Sequence, residues 1–268
     1  MKIHSTNNND ESRITTALLL AAGTGSRLYP ITKDAPKCLT LVNESSILER
    51  LIISLKLQGF KRLVIVTGHQ DNCIGEFLGS KSGEMTIEYI HSPLYRTTNN
   101  LYSLWMARFL LTESFVLIES DLVFDVSLLD EMIYPDRIAI AGIKPWMNGT
   151  TVTINSEQQV TEFQVGSTSC LNEIQYKTVN IYSFSLVSWY TIIERLNLHI
   201  VEGKVNDYYE SVFSDLVDEG SLSLQAVSFD DKPWYEIDTI ADLAEAVKLF
   251  PATFYKEEMS DDLVLRAS

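Results

Sequence analysis

The stretch Thr16-Ala17-Leu18-Leu19-Leu20-Ala21-Ala22-Gly23-Thr24-Gly25-Ser26-Arg27-Leu28, with Pro36-Lys37 a short way beyond it, decides how the rest of the chain reads. Its first half is an apolar run without alternation, the pattern of a strand buried on both faces of a parallel sheet. The run breaks into a turn with two glycines, where backbone can approach a ligand closely and aim its amides at it. Arg27 and Lys37 add fixed positive charge near the same place. Such a loop suits a nucleotide's phosphates. A dinucleotide fingerprint would need a third glycine where the helix packs on the strand, and that position is Leu28.

Outward from this loop, strands and helices alternate. Ser46 precedes a helical spacing over Ile47–Leu55, with Gly59 placed to end it. Arg62–Thr67, Met85–Ile90 and Phe115–Ile118 read as further buried strands, and Thr98 as the cap of a helix over Asn100–Leu111. Beyond Ile138 the segments Ile138–Ile143, Thr150–Ile154, Val160–Phe163 and Thr178–Phe184 shorten and are joined by polar turns, which predicts a small antiparallel lobe over the open edge of the core. Helices over Leu186–Leu198 and Asp207–Asp218, a strand near Leu222–Val227 and a helix over Thr239–Leu249 complete an α/β domain. Residues 1–12 read as a disordered lead, 13–254 as one domain, and 255–268 as an acidic tail that leaves room for self-association or fusion to a second enzyme domain.

Two carboxylates fall at predicted strand ends. Asp121 follows Phe115–Ile118, and Asp238 follows Trp234-Tyr235-Glu236-Ile237, with Glu236 on the same side by alternation. Carboxylate oxygens are what Mg²⁺ prefers, and its sites take one or two of them plus phosphate and water.

Composition narrows the partners. With 36 acidic against 21 basic residues and a net charge of −15, a nucleic-acid partner is excluded, since phosphate backbones require a basic face. No apolar run is long enough for a membrane span and the N-terminus carries no signal-peptide pattern, so a cytoplasmic protein is expected. Three cysteines without CxxC spacing and four scattered histidines fit reduced thiols and no zinc site.

The block from Leu20 to Lys37 (LAAGTGSRLYPITKDAPK) resembles the opening motif of the nucleotidyltransferases that activate sugar phosphates and phosphocholine-type substrates. Thr98–Trp105 (TNNLYSLW), Glu119–Phe124 (ESDLVF), Asn206–Glu210 (NDYYE) and Trp234–Thr239 (WYEIDT) are similar to the phosphocholine and aminoalkylphosphonate cytidylyltransferase-like branch, and the likeness spans Ala17 to Phe250. It implies a doubly wound, mostly parallel, Rossmann-like sheet. It implies a nucleotide site from Leu20, Ala21, Ala22, Gly23, Gly25, Ser26, Arg27, Lys37, Gly68, Asn99 and Asp121, with Arg27, Lys37 and Asp121 catalytic. Mg²⁺ would be held by Asp121 and Asp238, with Glu236 assisting. Lys177 stands where the sugar-phosphate enzymes grip the acceptor's phosphate. Trp146, Asn180, Tyr209, Glu210, Trp234 and Glu236 join it as acceptor-binding candidates, and Trp146, Tyr182, Tyr208, Tyr209, Trp234 and Tyr235 with Glu210 among them form an expected aromatic wall with one carboxylate, suited to a cationic amine. One departure stands out: the usual Gly-Asp is Ser120-Asp121 here.

The implied reaction is Mg²⁺-dependent transfer of CMP from CTP to a small amine-bearing phosphonate or phosphomonoester, such as 2-aminoethylphosphonate or phosphocholine. A sugar-1-phosphate nucleotidylyltransferase and a non-catalytic nucleotide-binding regulatory subunit are the alternatives. Retention of Lys37, Asp121 and Asp238 together speaks against the second.

Overall fold

Strand β1 (Thr16–Ala21) is buried along its whole length, as its unbroken apolar run demands. It belongs to a computed structural model that describes residues 13–145, 147–165 and 174–251. The expected lead over 1–12, the tail over 255–268 and Trp146 lie outside these residues. After the glycine loop, β2 (Leu41–Val42) and β3 (Ser45–Ser46) form a short antiparallel pair. Helix α1 (Ile47–Leu57) begins at Ser46, whose hydroxyl accepts from the Glu49 amide while the Glu49 carboxylate accepts from the Ser46 amide. This reciprocal cap fixes the start of the helix.

Strand β4 (Arg62–Thr67), helix α2 (Asp71–Leu78), the short β5 (Lys81–Ser82) and β6 (Met85–His91) follow. Helix α3 (Asn100–Ala107) differs from expectation at both ends. Its cap is Asn99, whose Oδ1 accepts from the Asn100 amide at 2.8 Å, because the Thr98 hydroxyl already donates to the Leu94 carbonyl. It also stops at Ala107, short of Leu111. Strand β7 (Phe115–Glu119) then delivers Ser120-Asp121 into a tight turn, and β8 (Leu122–Phe124) leaves it.

Strands β7, β1, β4 and β6 lie side by side and parallel. Successive residues of β1 face opposite layers. Leu19 packs with Ile65, Ile118 and α1, whereas Leu18 and Leu20 pack with Val64, Leu117 and helices on the other side. This is the doubly wound arrangement.

The short strands past Ile138 are β9 (Arg137–Gly142), β10 (Thr151–Ile154), β11 (Val160–Gln164) and β12 (Tyr176–Phe184). They are hydrogen-bonded into the same sheet, because β12 pairs antiparallel with β7 as well as with β9 and β10. The register of β12 against β9 shifts between Thr178 and Tyr182, and Asn180 sits there at a φ of 60°. The irregularity re-aims that side chain out of the ladder.

Helices α4 (Leu186–Val201) and α5 (Tyr209–Asp218) cover the β12 side, and β13 (Gln225–Ser228) runs parallel to β9. The last strand, β14 (Trp234–Glu236), pairs antiparallel with β8, and the Ile237 amide donates to the Asp121 carbonyl at 2.9 Å. Helix α6 (Ile240–Leu249) starts from a Thr239–Asp242 capping box. No helix among the described residues is long and apolar enough to cross a membrane.

Candidate active site

The C-terminal ends of β1 and β7 open on a cleft of about 310 Å³. Open α/β sheets bind ligands at this end of their strands. Its floor is the glycine loop. Gly25 holds a φ of 60°, and a Cβ there would come within 3.0 Å of both the Lys37 Cβ and the Thr32 Cγ2. The Thr32 hydroxyl donates to the Gly25 carbonyl at 2.8 Å and fixes the turn. At Gly23 a Cβ would meet open space, so the loop presents bare backbone to the cleft. Leu28, where a dinucleotide loop needs glycine, is buried against Val123 and Ile237.

Lys37 rises from a 3-10 turn after Pro36 and reaches two carboxylates. Its Nζ lies 2.8 Å from Asp121 Oδ2 and 2.7 Å from Asp238 Oδ1. Arg27 Nη2 is also 2.7 Å from Asp238 Oδ1, with most of its side chain exposed. Burial pulls the Lys37 pKa down, but Asp121 and Asp238 outweigh it and hold its pKa above the ordinary lysine value. Lys37 is therefore a fixed cation at neutral pH. The β8–β14 ribbon explains how residues so distant in sequence meet: it splices the chain after Asp121 to the chain before Asp238.

The carboxylate pair fits a divalent cation. Asp121 Oδ1 is buried without a hydrogen-bond partner, an acceptor that a cation would satisfy. Among the described residues no group of three or more carboxylate, histidine or cysteine side chains is placed to hold a metal. Two carboxylates, with phosphate and water for the remaining positions, are what a Mg²⁺ site requires. Glu236, expected as a third ligand, turns elsewhere: its Oε1 accepts from Asn180 Nδ2 at 3.3 Å and its Oε2 lies 3.5 Å from Lys177 Nζ.

The expected nucleotide residues Leu20, Ala21, Ala22, Gly23, Gly25 and Ser26 line the cleft with Arg27, Lys37, Asn99 and Asp121. Gly68 does not. Its role is close packing, since a Cβ there would come within 2.7 Å of the Ala22 carbonyl and of Tyr95 Cβ. Tyr95 itself lines the cleft.

Beyond Asp121 lies a second group of acids, the half-buried Glu119 of β7 and Glu236 of β14 and the buried Glu210 of α5, with Lys177 of β12 beside them. Burial, with Asp121 and Glu210 alongside, pushes the Glu119 carboxyl up to about 8. Burial raises Glu210 and Glu236 each to about 7, against the pull of Lys177 on both. Lys177 is buried, and its ammonium donates to the Thr178 carbonyl at 2.6 Å. Among these groups Glu210 Oε2 is buried without a hydrogen-bond partner, while the Tyr209 hydroxyl faces Glu119 and the Tyr182 hydroxyl faces Thr178.

The expected aromatic wall is mostly core. Trp234 packs in the hydrophobic layer with Ile118 and Phe124, and Tyr235 faces the opposite way onto Leu28 and Ile237. The Tyr209 ring is fully buried, edge-on to Tyr182 at 5.8 Å and tilted against Phe213 at 5.2 Å. Strand and helix ends near a site carry core aromatics as readily as lining ones, and alternation in so short a strand does not separate them. Of Tyr208 and Tyr209, at the cap and the first residue of α5, Tyr208 alone borders the cleft.

Two side chains escaped the sequence reading. Glu119 lines the cleft and joins both carboxylate groups. Asn100 holds the halves together: its Nδ2 donates to Glu119 Oε1 at 3.0 Å, and its Oδ1 accepts from the Tyr209 amide at 3.1 Å. Tyr208 offers α5 no side-chain cap, so Asn100 supplies one from another helix. The only signal was the doubled asparagine before an apolar helix.

Residues 16–164 match the family model described as Nucleotidyl transferase. CMP-5'-(3-aminopropyl)phosphonate synthase of Streptomyces rubellomurinus is 30% identical over 242 residues, covering 86% of this chain and 38% of that protein. The chain thus spans well under half the length of that relative. CTP:phosphoglutamine cytidylyltransferase of Campylobacter jejuni is 24% identical over 250 residues, covering 85% of this chain and 97% of that one. Among solved structures, CTP:phosphocholine cytidylyltransferase of Streptococcus pneumoniae superposes with a TM-score of 0.78 at 21% identity, over 89% of this chain and all of the other, a likeness of fold.

Proposed function

This chain belongs to the nucleotidyl transferase family, and on that footing we propose that it transfers CMP from CTP to a small amine-bearing phosphonate or phosphomonoester and releases pyrophosphate. The observation that carries the reading is a juxtaposition. A glycine-loop cleft with Lys37 between Asp121 and Asp238 adjoins the acids Glu119, Glu210 and Glu236. The first group suits a triphosphate, and the second suits a cationic acceptor. The names of the Streptomyces and Campylobacter relatives point to the same chemistry.

In this reading an anionic oxygen of the acceptor attacks the α-phosphorus of CTP, and the bond to the pyrophosphate oxygen breaks. The acceptor oxygen is already ionised at neutral pH, so no protein base is needed. Positioning and charge stabilisation drive such transfers. The amides of Gly23 to Arg27 cradle the phosphates, while Arg27 and Lys37 meet the charge that gathers on pyrophosphate. Asp121 and Asp238 would hold Mg²⁺, which when bound neutralises phosphate charge as a Lewis acid. Lys177 stands beside the acid group as a partner for the acceptor's phosphonate or phosphate.

The test is pyrophosphate release from each of the four nucleoside triphosphates with Mg²⁺, against aminoalkylphosphonates, phosphocholine and glucose 1-phosphate. CTP with an amine-bearing acceptor is expected to give the highest kcat/KM. Preference for glucose 1-phosphate, or for another triphosphate, overturns the reading.

A further inference from the structure

We infer that the outer face of α4, with the end of α3 beside it, is an interface on which a second copy of this chain docks about a two-fold axis. The inference does not depend on the cytidylyl-transfer reading. Helix α4 buries Trp189, Ile192, Leu196 and His199 against the domain. Its opposite face carries Val187, Tyr190, Leu198 and Val201, exposed by 77, 54, 55 and 85%. These positions fall four and seven residues to either side of Glu194, one stripe along about 21 Å of helix. A helix that covers a soluble domain turns polar residues outward, and one that is apolar on both faces belongs inside an assembly.

Helix α3 widens the stripe. Trp105 Nε1 donates to Asn197 Oδ1 at 2.8 Å and Trp189 Nε1 to the Leu111 carbonyl at 3.2 Å, so the end of α3 runs beside α4 in the opposite direction. This places Phe109, 61% exposed, alongside the stripe. Together the five residues expose on the order of 600 Å², close to the ~800 Å² that each partner of a specific interface buries.

Charge identifies the occupant. At a net charge of −15, two copies repel each other unless they meet on a balanced surface. Around the stripe Arg195 is paired with Asp215 and Glu219, and Lys204 with Glu202. Among the described residues one acid and one base of this face, Glu194 and Arg108, form no ion pair. The Arg108 guanidinium lies over the Trp105 ring at 3.3 Å and the Phe109 ring at 3.9 Å. It donates to the Trp105 carbonyl at 2.7 Å, which leaves further donors for a carboxylate. One unpaired acid and one unpaired base on the same apolar patch make it self-complementary, as an isologous interface requires. A two-fold axis between the stripe and α3 sets Glu194 against Arg108 of the partner subunit, twice per dimer. An anionic lipid surface would meet a single arginine on a strongly acidic protein, which disfavours a membrane as the occupant.

The test is sedimentation velocity of the full chain from low- to high-micromolar concentration, with circular dichroism to confirm folding. The wild type is expected to sediment as a dimer, and Leu198→Asp and Val201→Asp as folded monomers. Glu194→Arg and Arg108→Glu are each expected to raise the dimer Kd at least tenfold, because like charges then face each other. The double exchange is expected to return the Kd to within a few-fold of the wild type. Glu194→Arg alone still decides the pairing if Arg108→Glu fails to fold, since Glu194 is exposed. A wild type that stays monomeric at every concentration overturns the inference. So does a dimer that Leu198→Asp and Val201→Asp leave intact, because it uses another face. A dimer indifferent to Glu194→Arg, or a folded double exchange no tighter than the single ones, overturns it as well. A monomer that co-sediments with phosphatidylserine vesicles gives the face to a membrane and has the same consequence.

Discussion

On the proposed nucleotide side of the cleft the backbone sets the shape: one loop of consecutive residues, Ala22 to Arg27, follows one buried strand, with Lys37 close behind. On the proposed acceptor side the side chains set it, and they arrive singly from β7, β12, α5 and β14. The first arrangement is open and cationic in its reach. The second is more buried, acidic, and leaves Glu210 Oε2 unpaired. A phosphate chain can be met by repeating amides and a few fixed charges, whereas an amine requires particular oxygens at particular points. The difference predicts that damage to the first side slows the chemistry, while damage to the second alters which acceptor is used.

The sharpest way to break that contrast is through Lys37 and Asp121. Lys37→Ala and Asp121→Asn should each lower kcat by about 10²–10³-fold, the effect of removing one charge aligned on a transition state. Steady-state kinetics with both substrates varied will check this. A change confined to the acceptor KM would move Lys37 to the other half. Next in size, Asn100→Ala removes the borrowed cap of α5 and the donor to Glu119. The acceptor KM should rise roughly tenfold, in keeping with two lost hydrogen bonds of about 0.5–1.5 kcal/mol each, with the CTP KM changing far less. Equal shifts in both would mean that Asn100 supports the whole fold and not the junction.

Gly25→Ala tests the loop's conformation. A non-glycine residue in the left-handed region costs about 1–2 kcal/mol, and the 3.0 Å approach to Lys37 Cβ adds strain. A lower melting temperature with a higher CTP KM is expected, and an unaltered CTP KM would separate the turn from the nucleotide. The smallest effect concerns pH. Burial first of all raises the carboxyls of Glu119 to about 8 and of Glu210 and Glu236 to about 7. Each folded value exceeds the unfolded one, so their contribution favours the folded state at low pH and fades as pH rises from about 4.5 through these values. Between pH 8 and pH 6 the wild type should therefore gain stability relative to Glu210→Gln in parallel thermal melts. A constant difference between the two proteins would place Glu210 outside the titrating group.

How far the sequence reached follows the same division. The buried strand, the glycine loop and the alternation that sets the doubly wound core were legible because each is encoded within a few consecutive residues. The placement of Asp121 and Asp238 at strand ends was also readable. Their convergence on one lysine was not, since it depends on β14 pairing with β8. Trp234 and Tyr235 were misjudged for a physical reason: a three-residue strand with apolar cover on both faces buries both of its aromatics. Glu119 and Asn100 went unread because an acid ending a strand and an asparagine opening a helix are ordinary in sequence. Only the meeting of β7, α3 and α5 gives them a task.

The ribbon of β8 and β14 also sets a timetable. Chains emerge from the ribosome N-terminal part first, and folding follows that order. A nascent chain that has reached the end of α5 already contains the glycine loop, Arg27, Lys37, Glu119, Asp121 and Glu210. It still lacks Asp238 and Glu236, because β14 has not been made. Lys37 then has one carboxylate in place of two, and the acid group is missing a member. Synthesis of β14 and the two residues after it completes both halves in one step, so a stalled or clipped translation product retains the glycine loop without the second carboxylate that meets Lys37.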